Sequence, residues 1–449
     1  MLFRRSVLRW SLALVALGLS ALVQAQQKSE GEVSPPNFVI IMADDLGYGD
    51  LRCYWQDSPA LTPNLDRMAS EGLRFTDFHS SGNVCSPTRA GLLTGRYQQR
   101  AGIPGVINAD PKVPAHFFGL GRNETTFAEA LKESGYATAL FGKWHLGYDV
   151  YFNPTEHGFD EFRGYVSGNV DYQSHYDRME KFDWWNGRQL EDQNGYVTHL
   201  VTKNAIDFVE RNKARPFCLY VAHEAVHAPW QGPEDPSLRG PAKIKNAKID
   251  RKVALSQMLT EMDKSVGQIL NTIENCGIAE RTLVLFFSDN GPAGGSAGPL
   301  RGRKGSDYEG GHRVPAIAWW PSRIKPGQQT DALTISLDVM PTLLSLASVQ
   351  DVEGLELDGE DLSPVLFGKE SRVGRKLYWN ERAMRDGNWK LVLQKPNSKS
   401  PQLFDLSKDL GEKKDLASEQ PRRVKQMQSA IAAWKRDVAD GATTQPITR

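Results

Sequence analysis

The sequence predicts an α/β fold: a large, mostly parallel sheet flanked by helices, followed by a smaller C-terminal antiparallel sheet-and-helix domain. Three observations carry this expectation. Strand-like and helix-like stretches alternate along the chain. Several strand-like runs are apolar on both faces, as strands covered from both sides must be. Four groups of polar residues each follow directly on such a run, and open parallel sheets bind ligands beyond the carboxyl ends of their strands.

The first run, FVIIM over 38–42, is a buried strand. A helix start follows, with Thr62 as N-cap, Pro63 in the first turn, Leu65 and Met68 on the apolar face and Gly72 as the stop. Thr126 with Glu129 forms a capping box for a second helix that ends at Gly135. Strands are expected over 136–141, 217–222 and 282–287. Val253, Met258, Met262, Val266, Ile269 and Ile273 repeat at helical spacing, with Gly277 as the stop. Beyond about 370 the texture changes to short strand pieces at 377–379, 389–393 and 403–406, then a helix over 421–439. The expected organisation is a segment 1–25, a main domain 26–370 and a smaller domain 371–449.

The chain has 449 residues, enough for one large core or two unequal domains. Lysine plus arginine and aspartate plus glutamate both number 54, so the basic excess expected for a nucleic-acid partner is missing. Arg4, Arg5 and Arg9 precede an apolar run over 10–23, and Val23-Gln24-Ala25 has the small-residue look of a cleavage site. This reads as a signal peptide over 1–25, too short for a confident membrane span, and predicts a periplasmic or secreted protein with no stable membrane insertion after cleavage. The arginine pair also fits a twin-arginine signal, so the export route stays open. Disulfides are permitted outside the cell, yet Cys53, Cys85, Cys218 and Cys276 are scattered and show no metal-binding spacing.

The polar groups are Asp44-Asp45 after the first strand, Lys143 and His145 after the second, His223 and His227 after the third, and Asp289-Asn290 after the fourth. Each alone has a plain reading: loop acids, a turn, a surface lysine, satisfied histidines. Together they predict one site at one sheet edge. Three carboxylates and an amide suit a hard cation such as calcium or magnesium, whereas zinc would take histidine or thiolate. With that cation, Lys143 and Lys304 would cradle a phosphate or sulfate.

Cys85-Ser86-Pro87-Thr88-Arg89, followed by Leu92, Leu93, Thr94 and Gly95, resembles the C-x-P-x-R signature of the type I sulfatases. Gly142-Lys143-Trp144-His145-Leu146-Gly147 resembles their second signature. Asp44-Asp45, Ser288 to Gly291, and Lys304 with Glu309 to Pro315 fall in family order. The resemblance spans nearly the whole mature chain, and its nearest branch includes arylsulfatases and N-acetylgalactosamine-6-sulfatases. It implies an alkaline-phosphatase-like core and one calcium ion held by Asp44, Asp45, Asp289 and Asn290. It further implies that a maturation enzyme oxidises Cys85 to formylglycine, whose hydrated aldehyde attacks sulfur and then expels sulfate. By the same resemblance Arg89 holds the hydrated group, Lys143 and Lys304 contact sulfate oxygens, His145 takes the diol proton and His227 protonates the leaving oxygen. Valine at 226 replaces the family's usual proline, and His223, four residues from His227, is an alternative for that role.

The stretch 165–196 combines aromatic and hydrogen-bonding residues, with His175, Trp184, Trp185, Arg188 and His223 as substrate candidates. A sulfated carbohydrate is the expected substrate, with a small aryl sulfate as the alternative. A phosphatase or phosphodiesterase of the same fold would carry serine or threonine and a histidine-rich two-zinc set. A non-catalytic sulfoglycan-binding protein would keep Cys85 as a thiol.

Overall fold

The computed structural model describes residues 35–349, 355–369, 374–393, 400–444 and 446, so the expected signal peptide lies outside the described residues. The chain runs through β1 (Asn37–Ala43), α1 (Pro63–Glu71), β2 (Leu73–Phe75), β3 (Phe78–His79), α2 (Cys85–Thr94), α3 (Phe127–Glu133), β4 (Ala137–Lys143) and β5 (Glu161–Tyr165). It continues with β6 (Trp185–Asn186), β7 (Gln189–Leu190), α4 (Val197–Asn212), β8 (Phe217–Ala222), α5 (Arg251–Asn275), β9 (Thr282–Ser288), β10 (Ala316–Trp319) and β11 (Gln328–Thr330). Then come β12 (Thr334–Ile335), α6 (Val339–Leu346), β13 (Lys376–Trp379), β14 (Ala383–Asp386), β15 (Trp389–Val392), β16 (Gln402–Asp405) and α7 (Pro421–Ala439).

The main sheet has ten strands in the order β11-β2-β10-β9-β1-β8-β4-β5-β6-β7. Its five central strands, β9 to β5 in that order, are parallel. Alternate residues of β1 enter opposite hydrophobic clusters: Phe38, Ile40 and Met42 on one face, Val39, Ile41 and Ala43 on the other. The first face is covered by α2, α3 and α6, the second by α1, α4 and α5. Register aligns the strand ends: Met42 and Gly142 both lie opposite Ala222, and Ala43 lies opposite Ser288. The residues that follow β1, β8 and β9, and the last residue of β4, therefore share one edge.

Local signals and structure agree at several points. The Thr126–Glu129 capping box forms in both directions at α3. Thr62 is the N-cap of α1 but makes no capping hydrogen bond with its side chain. Asp263 of α5 replaces it, accepting from the N–H groups of Asn64 at 3.2 Å and Leu65 at 2.8 Å. Helix α4 escaped the sequence reading because its buried face includes Thr198, Thr202 and Asn204, which dilute the apolar period. Thr202 is satisfied by the carbonyl of Thr198 and the hydroxyl of Ser265.

The smaller antiparallel sheet, β13-β14-β15-β16, carries α7 on one face. Its other face meets β3 and the segment before β10 through buried charges. Lys390 Nζ lies 2.7 Å from His312 Nε2, His312 Nδ1 lies 2.9 Å from His79 Nδ1, and His79 Nε2 lies 2.9 Å from Asp77 Oδ1. An ammonium only donates, so His312 Nε2 accepts, and its Nδ1–H donates to His79 Nδ1. His79 Nε2–H then donates to Asp77, which makes a chain of one direction. Burial holds both imidazoles below their ordinary pKa, so they stay neutral. His79, Glu309 and His312 have metal-ligand spacing, but Lys390, 2.9 Å from Glu309 Oε1, already supplies the positive charge there.

His157 is fully buried against Trp144, neither ring nitrogen has a partner among the described residues, and burial lowers its pKa to about 4. The unfolded chain takes up this proton near pH 6.5 and the folded one near 4, so His157 makes stability fall as pH drops through that window. His157→Phe should flatten the dependence of unfolding free energy on pH between 6.5 and 4, by up to about 3 kcal/mol. Urea titrations at several pH values measure this, and parallel curves for the two proteins would refute it.

Candidate active site

Cys85 is the first residue of α2, with extended Val84 as N-cap. The Cys85 side chain is buried, and its Sγ lies 3.6 Å from Asp44 Oδ1 and 3.3 Å from Lys304 Nζ. All four cysteines are free thiols. Arg89 stands one turn further along α2, on the same helix face. It donates to the carbonyl of Lys143 at 2.9 Å, to Asp44 at 3.3 Å and to Asp289 at 3.2 Å.

Asp44, Asp45, Lys143, Asp289 and Asn290 converge from three strand ends. Lys143 Nζ donates to Asp44 Oδ2. Asn290 Nδ2 donates to Asp45 Oδ1 at 2.7 Å, and Lys304 Nζ lies 2.5 Å from the same oxygen. Burial raises the Asp44 carboxyl, but Lys143, His227 and Arg89 pull it further the other way and hold it well below the usual range. Asp289 is pushed well above its ordinary value by burial and by the negative charge of Asp44. Burial and Asp44 push the Cys85 thiol up, while Lys143, Lys304 and a hydrogen bond with His227 bring it down to about 7. Asp45 and His145 both adopt left-handed backbone, with φ of 63° and 58°, a strain that concentrates at functional sites.

The histidines divide by partner. His145 Nε2 lies 3.0 Å from the carbonyl of Ile107 and so carries the proton, leaving Nδ1 as a buried acceptor without a partner among the described residues. Burial and Lys143 hold its pKa well below the usual value. His227 faces Asp45, Nε2 to Oδ2 at 3.7 Å. Burial lowers its pKa, but Asp45 and Asp44 outweigh that and bring it to about 9. His223 points away, with Nε2 3.0 Å from the Ser265 hydroxyl of α5, and is fully buried.

Two observations fit a divalent cation here. Asn290 Oδ1 is buried and has no hydrogen-bond partner among the described residues. The Asp289 carboxyl is buried beside that of Asp44, and burial first and Asp44 second raise it well above its ordinary value. The donors are hard oxygens, those of Asp44, Asp45, Asp289 and Asn290, as calcium or magnesium prefers. Asp44, Asp45, Cys85 and His227 also offer ligand atoms within 4.8 Å of one another.

The substrate candidates scatter. Trp184 is fully buried, stacked on His175 at 4.6 Å, and its N–H donates to Gln193. Arg188 is exposed and pairs with Glu156. Trp185 lines an open cavity. None of these four has a contact with the cluster around Asp44. One neighbour, Glu224, was not anticipated, and another, Asn169, comes from the 165–196 stretch. Glu224 is buried, accepts from Val170 N–H at 2.8 Å, and burial raises its pKa to about 8. Its position between His223 and His227 beyond β8 was the available signal. Asn169 reaches His227 Nδ1 at 3.5 Å from a loop whose path the sequence does not reveal.

A family profile described as Sulfatase matches residues 36–349, and one described as N-sulphoglucosamine sulphohydrolase, C-terminal, matches 304–437. The chain is 38% identical over 398 residues to N-acetylgalactosamine-6-sulfatase of Mus musculus, covering 82% of this chain and 71% of the relative. It is 36% identical over 443 residues to arylsulfatase A of Homo sapiens, covering 85% and 83%. The crystal structure of Ps i-CgsB superposes with a TM-score of 0.81 at 27% identity, covering 92% of this chain and 95% of that one. A complex of that protein with k-i-k-neocarrahexaose matches equally well.

Lys143→Met would leave Asp44 with one buried cation, Arg89, shared with Asp289. Metal-free Lys143→Met protein should lose about 3–5 kcal/mol of unfolding free energy in urea, the usual cost of breaking a buried pair. A loss under about 1 kcal/mol would show that Arg89 alone compensates Asp44.

Proposed function

The chain belongs to the sulfatase family of sulfuric ester hydrolases, and from that premise we propose that it removes sulfate from a sulfated carbohydrate with a formylglycine made from Cys85 and one calcium ion. The observation that carries the mechanism is the opposite tuning of two histidines around Cys85. His145 keeps a free, buried Nδ1 and stays neutral, as a base needs. His227 is held protonated by Asp45 and Asp44, as an acid needs. Groups of one type pushed apart by their surroundings mark acid and base roles.

Cys85 Sγ stands in for one of the two hydroxyls that the formylglycine hydrate would carry on Cβ, beside Lys304 and the N-terminus of α2. The hydrated aldehyde supplies a nucleophile and, afterwards, a way to expel sulfate that plain serine or cysteine lacks. Arg89 and Lys143 hold its surroundings electropositive. Lys143 and Lys304 bind sulfate oxygens, His227 with Lys304 delivers a proton to the departing sugar oxygen, and His145 Nδ1 accepts one from residue 85. Asp44, Asp45, Asp289 and Asn290 would hold the calcium, which when bound would supply Lewis-acid polarisation of the sulfate group.

The carbohydrate substrate is supported by the N-acetylgalactosamine-6-sulfatase relative and by the carrahexaose-bound neighbour. The proposed precursor is exported, with a signal peptide at 1–25, a catalytic domain at 26–370 and a C-terminal subdomain at 371–449. A formylglycine-generating enzyme would act on the chain before it folds. No helix among the described residues is long and apolar enough to cross a membrane.

In active protein, the peptide that contains Cys85 should carry an aldehyde by mass spectrometry. Unmodified cysteine throughout a fully active preparation would sink the mechanism. Cys85→Ala should abolish sulfate release while leaving the circular dichroism spectrum and melting temperature close to those of the parent. Calcium added to chelator-treated protein should raise the melting temperature, and Asn290→Ala should remove most of that rise. An equal rise in both proteins would move the ion elsewhere.

A further inference from the structure

A cavity of about 280 Å³ opens beside the site, lined by His116, Tyr148, Asp149, Asp177, Trp185 and Val166 among others. Its wall is joined to the catalytic histidines by a short run of chain. Val166 lines the cavity; two residues on, a Cβ at Gly168 would meet the His145 ring at 2.7 Å, and Asn169 reaches His227. From the other side, His116 Nδ1 bonds the carbonyl of Asn108, next to the Ile107 carbonyl that takes the proton of His145. Two short segments, 166–169 and 107–116, therefore link the cavity lining to the histidines of the sulfate site.

The lining has two chemistries. His116 and Tyr148 stack at 4.5 Å with 26° between their planes. Trp185 adds a second aromatic surface and is pinned by its N–H to Asp183 Oδ1 at 2.6 Å. Asp183 also accepts from the N–H groups of Val166 and Ser167, which fixes the segment that leads to His145. Asp149 and Asp177 each use Oδ1 for backbone N–H groups and leave Oδ2 without a partner among the described residues. Aromatic faces suit the C–H face of a pyranose ring, and carboxylate oxygens accept its hydroxyls. Three carboxylates against one ammonium, Lys181, disfavour a second sulfate in this place.

We propose that this cavity is a subsite for a neutral sugar residue joined to the one that carries the sulfate. The inference rests on the reading of the protein as a carbohydrate sulfatase, and it adds that the enzyme reads the neighbouring sugar and selects one without sulfate. A pocket near the lower end of the size range for small ligands, about 300 Å³, has room for one such residue.

The test compares kcat/KM for sulfate release from three compounds: a sulfated monosaccharide, its disaccharide with a neutral neighbour, and that disaccharide with a second sulfate on the neighbour. The parent protein should prefer the neutral disaccharide to the monosaccharide by about tenfold, mostly through KM, and should disfavour the doubly sulfated one by a similar factor. Trp185→Ala should erase the first preference. Asp149→Lys, a change at an exposed residue, should reverse the second. Sulfate release with both ratios unchanged in both variants would overturn the subsite and leave the carbohydrate reading intact. Release from 4-nitrophenyl sulfate but from none of the three sugars would overturn the carbohydrate reading, and the subsite with it.

Discussion

The arrangement at the strand edge depends on the buried carboxylate of Asp44. Burying a lone carboxylate costs far more than a domain's net stability, so its charge must be met by cations that are buried with it. Lys143 comes from the end of β4 and Arg89 from the second turn of α2, and both reach Asp44. Lys304 arrives on a loop and meets Asp45. Three carboxyl groups, Asp44, Asp45 and Asp289, thus stand among Arg89, Lys143 and Lys304, with His227 as a further positive group. A divalent cation together with a sulfate ester, which is a monoanion, would add one net positive charge to that set.

Support for this cluster comes from the far side of the molecule. The proton chain from Lys390 through His312 and His79 to Asp77 ties β15 to the segment just before Cys85. Trp379 of β13 stacks on His312 at 3.9 Å and donates its N–H to the carbonyl of Ser80. Asp307 accepts from both Asn83 and Asn380, and Gly305 N–H bonds the carbonyl of Asn83. The loops that carry Cys85 and Lys304 are therefore held to each other and to the C-terminal sheet. A buried network in which every donor has one assigned acceptor specifies a single geometry, because a shift of one member leaves another unsatisfied.

Much of this was legible in the sequence because strand ends are legible. Apolar runs of five to seven residues locate β1, β4, β8 and β9, and the polar residues immediately beyond them have to fall on one edge if the strands are parallel. That reasoning says nothing about which way a loop side chain turns. His223 and His227 both follow β8, yet one enters the helix layer to meet Ser265 and the other turns to Asp45. The aromatic stretch was harder still. Trp184 and Trp185 are adjacent and of one type, but neighbours near a strand point to opposite sides, so one fills the core and the other lines a cavity. Helix α4 and the antiparallel β10 were missed because buried hydroxyls and a reversed strand leave little trace in a hydrophobic period.

The two histidines show why residue type at a strand end is a weaker guide than charge around it. His145 has Lys143 and Arg89 as its nearest charges, and both disfavour an imidazolium. His227 has Asp45 and Asp44, and both favour one. Both side chains are largely buried, so desolvation pushes each toward the neutral form, and the sign of the neighbouring charge decides the outcome. That sign follows from what stands beside each ring: His145 lies two residues beyond the lysine that ends β4, whereas His227, in the segment after β8, faces the aspartate pair that follows β1.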